Sequence, residues 1–365
     1  DPEHLRPAHT RFEPMPLCII VNAGAGGPHA WALRVRERLR GERRVLIACQ
    51  GEPGGFIRDP DFFYTRGRQL VRWLRSLAPA IVVPNWVWSA YGVCQIAIED
   101  GHDLRVLAFC RSDSEQNYYD PLVRRQQQFD WVAAVSPECR QVLLERLPGM
   151  AARIRLLPTF VERPVVLDRA WQRNPIRLIY AGRVEQADKR VLDLLPLARE
   201  LLAGGVEFTL TVAGEGSMTL HLLKGLADMR HEGRVRLVGS IAPADMPQLF
   251  RQHDVFVQLS STEGLSNSLL EAMSAGAVPV ATRTRSGVAG VIKEKINGYL
   301  CAVGDVRAIS RAISELARSA SPLEQLGAAA HYSTAQYGWE PYRARLTGLL
   351  TDIEQAGPRL SATPI

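Results

Sequence analysis

The 365-residue sequence predicts a doubly wound α/β protein of two similar lobes, and three observations carry that expectation. From residue 17 onward, short apolar, β-branched runs alternate with segments of helical period, which is the pattern of a parallel sheet covered by helices. A proline-bounded stretch of mixed charge at 161–175 (VERPVVLDRAWQRNP) then breaks the alternation and reads as a linker. A second strand-and-helix series follows it. At about 150 residues per domain the length allows two or three domains. With 46% hydrophobic and 22% charged residues, the composition excludes collagen-like and wholly disordered classes.

The first apolar run, 17–22 (LCIIVN), stops at Ala23-Gly24-Ala25-Gly26-Gly27-Pro28, and 29–40 has helical character: strand, glycine-rich turn, helix. Further strands are expected at 44–48, 80–83, 105–109, 131–135 and 154–157, with helices at 66–77, 89–99 and 137–147. Beyond the linker, strands are expected at 176–181, 208–213, 235–238, 255–259 and 278–281, with helices at 190–203, 220–230, 244–252, 268–275 and 306–318. In open α/β sheets ligands lie beyond the carboxyl ends of the strands, so chemistry is sought just after each strand.

Charge narrows the partners. The balance is 44 basic against 38 acidic residues, or +6, spread almost evenly along the chain. That suits an anionic small substrate or an acidic membrane surface better than nucleic acid, which would need a clustered basic stripe. The six cysteines are scattered without a C-x-x-C pair and read as reduced core residues. No run reaches the roughly 18 apolar residues of a spanning helix, and residues 1–16 are charged and proline-rich, so a cytoplasmic protein is expected.

Two strand ends stand out. After 176–181 comes Ala181-Gly182-Arg183, with Lys189 six positions beyond Arg183. Two cations at a loop that opens a helix would complete a diphosphate site; the alternative is a pair of surface charges. After 255–259 comes Ser260-Ser261-Thr262-Glu263-Gly264-Leu265-Ser266-Asn267, with Glu271 eight positions beyond Glu263. Glu207 and Glu215 share that spacing but straddle a strand, whereas Glu263 sits in a turn and Glu271 on the helix the turn opens. Amides of Gly264 to Asn267 would lie between the two carboxylates, a pattern that matches a sugar nucleotide's hydroxyls, diphosphate and ribose diol.

These residues carry a resemblance. Tyr180-Ala-Gly-Arg183 with Lys189, Ala213-Gly-Glu-Gly216, Val238-Gly-Ser-Ile241, Glu263 through Met273, and Asn297-Gly-Tyr-Leu300 are together similar to the C-terminal domain of retaining GT-B glycosyltransferases, family 4 in particular. The resemblance implies two Rossmann-like α/β/α domains facing each other across a cleft. Residues 1–16 would be a leader, 17–165 the acceptor-side domain, 166–335 the donor-binding domain, 336–355 a helix crossing back to the N-terminal domain, and 356–365 a tail. It implies that Arg183 and Lys189 neutralise a leaving diphosphate without a metal, that Glu263 holds sugar hydroxyls, and that Glu271 holds the ribose diol. Gly182 and the amides of Gly264, Leu265, Ser266 and Asn267 would contact sugar and phosphate, and Ile241 would lie near the base. Gly24, Gly26 and Gly27 would let the N-terminal backbone approach the diphosphate.

By the same resemblance the enzyme moves a hexose-type sugar, with retention, from a nucleotide-diphosphate donor (UDP or GDP) to a hydroxyl acceptor in a glycan, glycolipid or small molecule, without cofactor. One position departs from the family: Cys110 or Arg111 stands where a histidine is usual, which leaves Arg111 and Asp113 as candidates for acceptor or sugar contacts. Asp59-Pro60-Asp61 has the form of a metal motif from another glycosyltransferase architecture, and the chain organisation argues against that use. Six arginines between residues 31 and 44 read either as a solvated face or as a patch for anionic lipid at the membrane's inner face. The rival readings are a sugar-nucleotide epimerase of similar shape and a non-catalytic nucleotide-sugar-binding subunit.

Overall fold

A computed structural model gives the structure, which describes residues 13–22, 27–52, 60–172, 174–318 and 320–357. Gly24, Gly26, Asp59, most of the leader and most of the tail lie outside the described residues. The chain divides into two compact units. The first holds the residues up to Phe109, Arg125–Trp131 and those from Leu350 on; the second holds Cys110–Arg124 and Val132–Leu349.

In the first unit the elements follow one another as β1 (Leu17–Asn22), α1 (Gly27–Arg38), β2 (Val45–Gln50), β3 (Phe62–Tyr64), α2 (Gly67–Leu77), β4 (Ala80–Pro84), α3 (Trp88–Glu99) and β5 (Leu104–Cys110). The strands stand in the order β3-β2-β1-β4-β5. Leu17 lies opposite Val45 on one side and Ile81 on the other, in parallel. A strand flanked on both sides and covered on both faces has no wet side, which is why LCIIV is unbroken apolar sequence rather than an alternation.

The second unit contains α4 (Asp120–Arg124), β6 (Trp131–Ala134), α5 (Pro137–Arg146) and β7 (Ile154–Leu156), with β6 and β7 paired in parallel. Its main sheet is built from β8 (Ile176–Ala181), α6 (Leu194–Ala203), β9 (Phe208–Ala213), α7 (Thr219–Gly225), α8 (Ala227–His231), β10 (Val235–Gly239), α9 (Met246–Arg251), β11 (Val255–Gln258), α10 (Asn267–Ser274), β12 (Val278–Thr282), α11 (Val288–Val291) and β13 (Tyr299–Cys301). Helices α12 (Val306–Arg318), α13 (Ala320–Ser333) and α14 (Trp339–Gln355) close the chain. The six strands run β10-β9-β8-β11-β12-β13, so the order reverses between β8 and β11. Loops leaving two strands at such a reversal part to opposite faces and leave a crevice at the carboxyl edge.

The structure departs from the expected elements in places with physical causes. The three-residue strands β3 and β13 are too short to show a period. The helix expected at 190–203 opens as a 3-10 turn, Val191–Asp193, preceded by Arg190 in a left-handed conformation, φ 49°, which cannot belong to the helix. The helix expected at 220–230 is broken at Leu226 into α7 and α8. Helix α13 was not expected, since its stripe is interrupted by Gly327. A Cβ there would come within 2.4 Å of the Trp171 indole nitrogen, so the residue is small because the linker packs against it.

Among its described residues that linker has no helix or strand, yet it is fastened. Asp254, wholly buried, accepts hydrogen bonds from the Arg177 Nε at 2.7 Å, the Arg169 Nη2 at 3.2 Å and the Gln172 amide at 2.8 Å. The Trp171 indole donates to the Gly276 carbonyl at 2.9 Å. Burial pulls the Arg169 guanidinium down to about 10, against the pull of Asp254 in the other direction.

Candidate active site

The loops after β8 and β11 meet at the strand-order reversal of the second sheet. Ser261 donates its backbone N–H to the Asp188 carbonyl at 2.9 Å, which ties the two loops together. The loop after β8 is folded tightly by Tyr180, whose hydroxyl donates to the Arg183 carbonyl at 2.6 Å; burial pushes the Tyr180 phenol up. Against it lies the loop after β9. A Cβ on Gly214 would stand 2.0 Å from the Gly182 carbonyl oxygen, and one on Gly216 would stand 2.4 Å from that of Val184. The glycines of Ala213-Gly-Glu-Gly216 are therefore required for backbone to meet backbone.

Lys189 and Glu263 are the centre of this arrangement. The Lys189 Nζ donates to the Glu263 Oε1 at 2.6 Å, and the buried Ser260 hydroxyl donates to the same oxygen at 2.6 Å. Glu263 is 9% exposed. Its carboxylate is thus held from two sides while its second oxygen remains for another donor. Arg183 is outermost, with its guanidinium on the Asp188 carboxylate and its side chain 63% exposed. Two cations and one carboxylate stand on adjacent loops, a set that can grip a sugar's hydroxyls on one side and a phosphate on the other.

The Glu263 turn is closely packed. A Cβ on Gly264 would fall 2.1 Å from the Arg111 carbonyl, and one on Gly287 would fall 1.7 Å from that of Gly264. Ser112 and Gly264 form an isolated antiparallel bridge, and the Asp113 N–H donates to the Glu263 carbonyl at 3.4 Å. Ser266 then caps α10, its hydroxyl accepting from the Leu269 N–H at 3.3 Å, so Asn267 starts the helix and Glu271 stands on its second turn. Leu265 is buried, and Ser266, Asn267, Glu271 and Ile241 are partly exposed. The structure therefore gathers Gly182, Arg183, Lys189, Glu263, Gly264, Leu265, Ser266 and Asn267 on adjoining loops. Gly27 begins α1 in the other unit.

Asp113 has a setting that its sequence position does not reveal. Its buried carboxylate receives a two-point grip from Arg285, Nε to Oδ2 at 2.7 Å and Nη2 to Oδ1, and the Tyr119 hydroxyl donates to Oδ1 at 2.8 Å. The hydrogen bonds to Asp113 push the Arg285 guanidinium up. Behind the turn, the α5 cap Ser136 shares a 2.7 Å hydrogen bond with Ser286, which also donates to the Gly264 carbonyl at 3.3 Å. Cys110 and Cys139 are in mutual contact there. The hydrogen bond from Cys110 pulls the Cys139 thiol down to about 6, while burial pushes Cys110 up. All six cysteines are buried thiols. Arg285, Ser286 and Tyr119 were not predicted; the strand-end position of residues 283–287 after β12 is the signal that would have pointed to the first two, and Tyr119 had none.

Fold and loop geometry together define the GT-B class, two parallel α/β sheets with the polar site at strand carboxyl ends. Comparison with known proteins agrees. Residues 175–319 match the family described as glycosyl transferases group 1. AmsK of Erwinia amylovora, an amylovoran biosynthesis glycosyltransferase, is 28% identical over 152 residues, 40% of this chain and 37% of AmsK. LpsE of Rhizobium meliloti, a lipopolysaccharide core biosynthesis glycosyltransferase, is 29% identical over 196 residues, 48% of this chain and 56% of LpsE. The chain thus spans between about a third and a little over half of these two relatives' lengths. The crystal structure of Anabaena HepE with UDP and glucose superposes with a TM-score of 0.76 at 15% identity, covering 93% of this chain and all of HepE, and shares the fold.

Proposed function

We propose that this chain is a retaining glycosyltransferase that moves a hexose-type sugar from a nucleotide-diphosphate donor to a hydroxyl acceptor. The observation that carries the reading is the Lys189–Glu263 pair at the strand-order reversal, flanked by Arg183 and the α10 turn. Residues 166–335 would hold the donor and 17–165 the acceptor. HepE is described with UDP and glucose, which supports UDP as the first donor nucleotide to test. The names of AmsK, an amylovoran biosynthesis glycosyltransferase, and LpsE, a lipopolysaccharide core biosynthesis glycosyltransferase, support an acceptor hydroxyl on a glycan or glycolipid.

In this reading the donor's sugar hydroxyls meet Glu263, and the ribose diol meets Glu271. The diphosphate lies against Arg183, Lys189 and the amides of Gly264 to Asn267. Negative charge grows on the diphosphate as the glycosidic bond breaks, so a cation fixed there stabilises the transition state more than the ground state. Lys189 is held in place by Glu263 before the donor arrives, which limits the reorganisation needed. Two cations supply charge that a divalent metal supplies elsewhere, so turnover is expected to survive EDTA.

The test is Lys189→Ala, assayed with UDP-, GDP- and ADP-sugars against pooled acceptors. Loss of one Lys contact to a developing phosphate charge predicts a kcat about a hundredfold lower. Activity within about threefold of the unmodified chain would refute the assigned role.

A further inference from the structure

Arg285 stands in the loop after β12, the strand next to the one that delivers Glu263. Its guanidinium grips Asp113 at two points and also lies 3.8 Å from a Glu115 carboxylate oxygen. From another direction Arg146, at the last turn of α5, reaches Glu115 and, at 2.8 Å, Asp120. The segment 112–120, which includes a π-helical turn at Glu115–Tyr119, is therefore clamped by two arginines that belong to other elements. Single π-helical turns are uncommon and concentrate at functional sites.

The clamped segment is also the wall of the Glu263 turn. It contributes the bridge between Ser112 and Gly264, the Asp113 N–H on the Glu263 carbonyl, and the Arg111 carbonyl that leaves no room for a Cβ on residue 264. A shift of Asp113 must then move the Glu263 backbone. The Arg285 side chain is 60% exposed while the carboxylate it holds is 5% exposed. With its carboxylate buried, losing this pair costs some stability, and the two-point grip also fixes geometry. Catalytic groups lose effect steeply when displaced by as little as 1 Å.

We infer that Arg285 is a positioning residue for sugar transfer: by clamping Asp113 it holds the 112–120 segment, and through that segment the Glu263 turn, in the geometry that grips the donor sugar. This rests on the donor-site reading of Glu263 given above. In this inference Arg285 acts through Asp113.

The test combines kinetics with backbone hydrogen exchange on the full chain. Arg285→Gln, Asp113→Asn and the double variant are compared with the unmodified protein, with thermal unfolding as the folding control. Arg285→Gln is expected to fold, to bind UDP within about threefold of the parent, and to lose kcat by tenfold or more, as misplacement of a catalytic group predicts. The double variant should be no slower than Asp113→Asn alone, because both changes remove one clamp. Arg285→Lys, which keeps the charge and loses the fork, should recover only part of kcat. Amides 110–119 and 261–266 should exchange faster in Arg285→Gln whether or not a donor sugar has been found, so the clamp can fail separately from the donor reading. Additive losses, a fall in UDP affinity that matches the fall in kcat, or unchanged exchange in both segments would overturn the proposal.

Discussion

Gly287 shows how much of the site depends on single positions. Its φ is +71°, in the left-handed region, and a Cβ would meet the Gly264 carbonyl at 1.7 Å and the Leu265 Cα at 3.0 Å. Those atoms are backbone and cannot rotate away. Gly287→Ala is therefore expected to cost about 2 kcal/mol or more, combining conformational strain with displacement of the Glu263 turn. The matched control is Gly348 on α14, where a Cβ meets nothing within 4 Å and Ala should stabilise by about 0.5–1 kcal/mol. Chemical denaturation of both variants checks this, and equal midpoints would show that the turn tolerates displacement. Sequence spacing made Glu263 and Lys189 visible as candidates because each follows a strand. It could not reveal that Asp113 is gripped by a residue 172 positions away. Pairings of that reach are set by how loops converge in space, and one sequence holds no trace of the convergence.

At the scale of elements, the alternation of strand and helix was readable because buried parallel strands are unbroken apolar runs and the helices between them carry one apolar stripe. Short or broken elements escaped for the opposite reason, as β13 and the α7/α8 break illustrate. How elements are joined was equally hidden, and two buried histidines do part of that joining. His253 sits between α9 and β11; its Nδ1 pairs with the Leu249 carbonyl at 2.7 Å and its Nε2 with the Thr211 hydroxyl on β9 at 2.8 Å. His331 on α13 pairs with the Ser274 carbonyl at 2.6 Å and with the Arg163 guanidinium at 2.9 Å. An arginine can only donate, so that ring must be neutral at Nε2. Burial lowers both histidines below the usual 6.5; the Leu249 and Ser274 carbonyls pull the other way, and Arg177, Arg236 and Arg163 add to the lowering. The folded state then binds fewer protons than the unfolded state below pH 6.5. Stability should be full above that pH and fall as pH drops towards and through the lowered folded values. Unfolding curves between pH 7.5 and 5.5 should show the loss, and the His253→Gln, His331→Gln double variant should flatten it. Parallel pH curves for parent and variant would rule the histidines out as its source.

For the whole molecule, the division into units has a consequence at the chain's far end. The first unit includes the residues from Leu350 on, although the sequence between Val132 and Leu349 belongs to the second. Within the first unit the end of α14 is firmly bound. Glu354 accepts from the Met15 N–H at 2.9 Å and from the Arg43 guanidinium at 2.7 Å, and the buried Arg105 donates to the Ile353 carbonyl at 3.1 Å. Leu350 and Ile353 are each 1% exposed. Replacing a buried Ile by Ala costs roughly 2–5 kcal/mol, and removing Glu354 takes away the carboxylate that Arg43, with its side chain 8% exposed, depends on. Ile353→Ala and Glu354→Ala should therefore lower the unfolding temperature of the first unit, although both substitutions are over 300 residues from β1. A nucleotide bound at the β8 and β11 loops should instead raise the transition of the second unit, by about 2.7 kcal/mol at a hundredfold excess over its dissociation constant. Scanning calorimetry with and without UDP separates the two effects, since chains of several domains need not unfold in one step. The variants should move the first unit's transition while the UDP-dependent shift stays intact. Loss of that shift in Ile353→Ala would instead mean that the last turn of α14 also controls the donor loops.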